Sequence, residues 1–98
     1  MSANYMETLK NNDPEFYEVV KAVMDKTQEK GALDPKTKTL IIMFNDAVKG
    51  HGDAVKSLAG VARKLGATDE EIRETLRLAF MASGLSGLVA GMAAFAEE

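Results

Sequence analysis

Two Asp-Pro pairs and one Thr-Asp-Glu-Glu box punctuate this 98-residue chain, and they constrain its fold more than any other feature. At Asp13-Pro14 and Asp34-Pro35 the aspartate can accept the unpaired N–H groups of a helix's first turn. The proline that follows lacks the N–H that a first helical position would leave unused. "TDEE", Thr68 to Glu71, is a capping box, in which a threonine and a glutamate three residues on cap each other's backbone.

Behind these starts, apolar residues recur at helical spacing. Phe16, Val20, Val23 and Met24 make one stripe. Leu40, Ile41, Phe44, Ala47 and Val48 make a second, and Ile42 and Met43 extend it nearly all round the helix, the mark of burial on more than one side or of a subunit interface. Val55, Leu58, Ala59, Ala62 and Leu65 follow the glycines Gly50 and Gly52. Ile72, Leu76, Ala79 and Phe80 are expected to point inward, with Arg73, Glu74 and Arg77 outward as a solvated face with ion pairs. Gly31 and Gly66 are stop signals, with basic residues in the turns before them. Nothing alternates with period two, so no strand is assigned. The expectation is an all-α fold, a compact antiparallel domain of about five helices, spanning residues 13–98 as a single domain. Residues 1–12 read as a polar N-terminal segment whose Tyr5, Met6 and Leu9 can pack on a neighbour.

Length fits one small domain with a thin core. The net charge of −3 argues against a nucleic-acid partner, which would call for a basic patch. The absence of cysteine excludes a thiol redox cycle, a disulfide framework and a cysteine-ligated zinc site. It also fits a reducing, cytoplasmic compartment. The start, "MSANYMETLKNNDPEF", is unlike a signal peptide. Residues 78–96 form nineteen residues without a charge, about a membrane span in length. Their Ala, Gly and Ser content, and the break at Gly84, Ser86 and Gly87, point instead to a buried or interface helix and to no membrane partner.

His51, the single histidine, stands between Gly50 and Gly52 at the expected start of the third helix. Asp46, Lys49 and Asp53 lie near it in sequence. A histidine here can serve as a general base or contact a substrate. Without a second ligand or nucleophile it reads first as a polar residue finishing a glycine-rich turn. No metal site and no cofactor is expected.

The stretches "LDPKTKTLI" and "ARKLGATDEEI", within residues 33–90, resemble the carboxymuconolactone decarboxylase and alkylhydroperoxidase D-like family. The resemblance implies an all-helical fold and a homo-oligomer, a trimer or hexamer. Peroxidase members carry a glutamate on the second helix, a Cys-x-x-Cys at the start of the third and a histidine four residues after it. A helix start and a nearby base lower the thiol pKa there, and the second thiol resolves the oxidised first one. Aligned through "ARKLGAT", those positions hold Thr39, His51, Ala54 and Leu58. All four differ from the peroxidase pattern. The resemblance therefore implies a divergent oligomeric member with a binding or structural role. The alternative is a decarboxylase-type enzyme acting on a small carboxylate or lactone. There His51 would be the catalytic proton-transfer group, in a pocket with a cation such as Lys49 or Arg63.

Overall fold

A computed structural model describes residues 5–97. Every regular element among the described residues is helical. The chain divides into two units, one ending at Gly31 and one beginning at Ala32.

The first unit holds α1 (Tyr5–Asn12) and α2 (Pro14–Thr27). Helix α2 starts where its cap predicts. Asp13 Oδ1 accepts from the Phe16 N–H at 3.1 Å, and Pro14 takes the first position. It ends at Thr27, before the Gly31 stop signal, through the Gln28 N–H bonded back to Met24 and Asp25. Helix α1 lies in the segment read from sequence as polar, and with it the described residues form six α-helices where about five were expected. It joins α2 through the Asp13 N–H, which donates to the Leu9 carbonyl at 2.7 Å, and Lys10 Nζ lies 5.6 Å from the Tyr17 ring centroid. Neither helix contains a buried residue.

The second unit holds α3 (Pro35–Val48), α4 (Gly52–Lys64), α5 (Asp69–Ser83), α6 (Leu85–Gly91) and a final 3-10 turn (Met92–Phe95). Asp34 Oδ1 accepts from the Thr37 N–H at 2.7 Å to open α3, and that bond holds the Asp34 carboxyl below its ordinary range. The capping box of α5 is complete. Thr68 Oγ1 accepts from the Glu71 N–H at 3.0 Å, and Glu71 Oε1 accepts from the Thr68 N–H at 2.9 Å.

Helix α3 is the centre of this unit and packs on α4, α5 and α6. The core follows the expected stripes: Met43 and Ala47 of α3, Val55, Ala59 and Ala62 of α4, and Ile72, Leu76 and Ala79 of α5. Leu40, Phe44, Val48, Leu58 and Phe95 pack against it. Many of these side chains are alanine, so the helices approach closely and the core is narrow.

That narrowness corrects two expectations. Phe80 does not point inward: it is 45% exposed. The buried stripe of α5 is Ile72, Leu76 and Ala79, and Phe80 lies about 100° further round the helix from Ala79. Leu65 likewise lies outside the core, at the exposed end of α4. The charge-free run 78–96 is broken at Gly84, whose φ of +74° suits glycine, and its last residues tighten into the 3-10 turn. Among the described residues no helix is long and apolar enough to cross a membrane.

Candidate functional site around the start of α4

His51 is the residue before α4 begins, as its flanking glycines predict. Its backbone is tied on both sides. The His51 N–H donates to the Asp46 carbonyl at 2.9 Å, and the His51 carbonyl accepts from the Val55 N–H at 3.0 Å. Its side chain makes no capping bond to α4. The ring turns back toward α3, where Nδ1 lies 3.3 Å from Asp46 Oδ1. The histidine side chain is 59% exposed and that of Asp46 only 19%. When Nδ1 carries the proton it donates to Asp46, which orients the ring and leaves Nε2 as the acceptor.

Of the other residues singled out near His51, Lys49 caps the end of α3 and Asp53 sits in the first turn of α4, both exposed. Arg63 is not brought to His51. It lies at the far end of α4, where its Nε donates to Asp69 Oδ1 at 3.0 Å and its guanidinium lies 5.3 Å from the Phe95 ring centroid. Thr39 spends its hydroxyl on its own helix, donating to the Pro35 carbonyl at 2.8 Å. Leu58 packs against the core. Among the described residues no three His, Asp or Glu side chains come together in a way that could hold a metal ion.

Three cavities bear on function. One, of about 550 Å³, opens beside His51 and is lined by Gly50, Gly52, Leu85, Ser86, Val89 and Ala90. The neighbours of His51 line it, but His51 itself does not, and neither does a cation. A second, of about 440 Å³, lies between α3 and α5 and is lined by Thr37, Leu40, Ile41, Phe44, Thr75 and Leu78. The third, of about 330 Å³, lies between α5 and α6 and is lined by Arg73, Leu76, Arg77, Phe80, Leu88 and Met92.

The family model of the carboxymuconolactone decarboxylase family matches residues 14–97. The chain belongs to the carboxymuconolactone decarboxylase family. The match runs beyond the stretch that carries the sequence resemblance and takes in α2 as well as every helix of the second unit. An uncharacterized protein of Methanocaldococcus jannaschii is 30% identical over 95 residues, which cover 97% of this chain and 89% of that protein. A second uncharacterized protein of the same organism is 28% identical over 88 residues, 89% of this chain and 85% of that one.

The residues that sequence reading passed over are Arg73 and Arg77. They read as part of a solvated face. Both are exposed and ion-paired, as that reading expects, donating to Glu70, Arg73 Nε at 2.9 Å and Arg77 Nη1 at 3.2 Å, and both also line an apolar cavity. Their four-residue spacing, with Leu76 and Phe80 beside them, is the signal that could have found them.

Proposed function

We propose that this chain is a family member that acts by binding, as a homo-oligomer, with no thiol chemistry and no turnover at His51. The observation that carries this reading is the setting of His51. It is mostly exposed, has one side-chain partner in Asp46 and lines none of the three cavities, although the alignment through "ARKLGAT" sets it where the family's first thiol would stand. A proton-transfer group needs a substrate held within hydrogen-bond reach. Oligomer formation is supported by the apolar side chains left uncovered on α3, α5 and α6, among them Ile41, Ile42, Leu78, Met81, Leu85 and Val89. Apolar patches of this kind mark interaction surfaces. The family resemblance favours three or six copies, and the lack of cysteine suits a cytoplasmic setting.

The test is turnover of a peroxide and of a small carboxylated lactone by the wild-type chain and by His51→Ala. The expected result is no turnover that depends on His51. Turnover that falls by about a hundredfold or more in His51→Ala would overturn the reading.

One observation favours a second reading, a decarboxylase-type enzyme acting on a small carboxylate or lactone. The 3.3 Å contact from Asp46 would orient His51 as a proton-transfer group, much as a carboxylate orients the histidine of a catalytic triad. On that reading Asp46→Asn lowers the same turnover.

A further inference from the structure

Of the three cavities, the groove between α5 and α6 differs in carrying charge. Leu76, Phe80, Leu88 and Met92 give it apolar walls, and Arg73 and Arg77 line the same space. The arginines stand four residues apart on α5, so they leave the same face of the helix, and Phe80 follows three residues after Arg77. Phe80, Leu88 and Met92 are each partly exposed, so the groove is open to a ligand.

Glu70 accepts one N–H from each guanidinium. Two guanidiniums share this one carboxylate beside an apolar surface. Each guanidinium has five N–H donors in a planar fork that matches a carboxylate. A neutral hydrocarbon would gain nothing from these groups, and a small hydrophilic anion would gain nothing from four apolar side chains. The pairing selects a molecule with an anionic head and an apolar body. A volume of about 330 Å³ stands at the lower end of ligand pockets, so that body is short.

A second copy of the chain fits the α3–α5 face better, since no ionisable residue lines the cavity there. Covering Arg73, Glu70 and Arg77 with apolar protein surface would strip water from three charges.

We propose that the α5–α6 groove binds an amphipathic monocarboxylate with a short apolar chain. Arg73 and Arg77 take the carboxylate, and Phe80, Leu88 and Met92 hold the chain. This inference rests on the binding reading of the protein and names its ligand class.

The experiment is titration calorimetry of the full chain in its native assembly with sodium octanoate, and with octanol as the neutral control. The expected result is saturable octanoate binding, tighter than that of octanol. Arg77→Met weakens octanoate about tenfold and leaves octanol unchanged. Arg77 is the cleaner position, because Arg73 also lies 6.0 Å from the Phe95 ring centroid. Phe80→Ala, at a half-exposed site outside the core, weakens both probes. The inference is overturned if octanoate does not bind, if octanol binds equally well, or if neither substitution changes the affinity. An inactive oligomer that ignores octanoate overturns this inference and leaves the proposed function standing. Octanoate binding in a chain whose lactone turnover requires His51 supports the groove and overturns that function.

Discussion

Gly87 shows how closely this fold is packed. It is a buried glycine of α6, and a Cβ built on it would collide with Ser83 Oγ and lie 2.8 Å from the Ala79 carbonyl oxygen. The serine can rotate; the carbonyl is fixed in α5. Gly87→Ala is therefore expected to lower unfolding free energy by about 1–3 kcal/mol, measured by urea denaturation. A Ser83→Ala background should relieve part of that loss and no more, because Ala79 remains. From sequence, Gly87 reads as part of a break, and the structure shows instead that it lies within α6, close against α5. His51 was legible to a similar depth. Its glycines place it at a helix start, but the Asp46 contact depends on how the turn folds back. Phe80 was misread because helical spacing alone does not say how wide a buried face is.

At the scale of elements, helix starts were the most legible feature, since a cap and its proline act within a single turn. Asp13, Asp34 and Thr68 all cap as expected. Helix α1 has no such signal in "YMETLKNN", and the end of α2 does not wait for Gly31. The α5 cap also ties two elements together. Lys36 Nζ of α3 donates to Glu71 Oε2 at 2.9 Å, while Glu71 Oε1 holds the Thr68 N–H. The Thr68 backbone bond, and then Lys36, hold the Glu71 carboxyl below its ordinary value of 4.5. A carboxylate so depressed adds stability that is fully present above the unfolded value and is lost as pH falls through the folded one. Urea midpoints taken from about pH 7 to about pH 3 should therefore fall less steeply in Glu71→Gln than in wild type. The two curves should converge at the acid end. Parallel curves would mean that the folded chain makes no use of this carboxylate's charge.

At the scale of the whole molecule, the buried residues cluster in the unit that begins at Ala32, while its outer faces stay apolar. The near-continuous apolar turn of α3 already pointed to more than one covered side. Met43 goes into the core, and Ile41 and Ile42 remain about half exposed. Which faces the chain itself would cover was not legible, because that depends on the placement of α5 and α6 around α3. Under the proposed function, copies of this chain close the α3–α5 face. The most direct test is native mass by light scattering, on wild type and on a variant carrying Ile41→Glu and Leu78→Glu, two exposed residues lining that face. The expected result is a wild-type mass of three or six times 10.6 kDa and a smaller, still helical species for the variant. A wild-type chain that remains a 10.6 kDa monomer at all concentrations would contradict it.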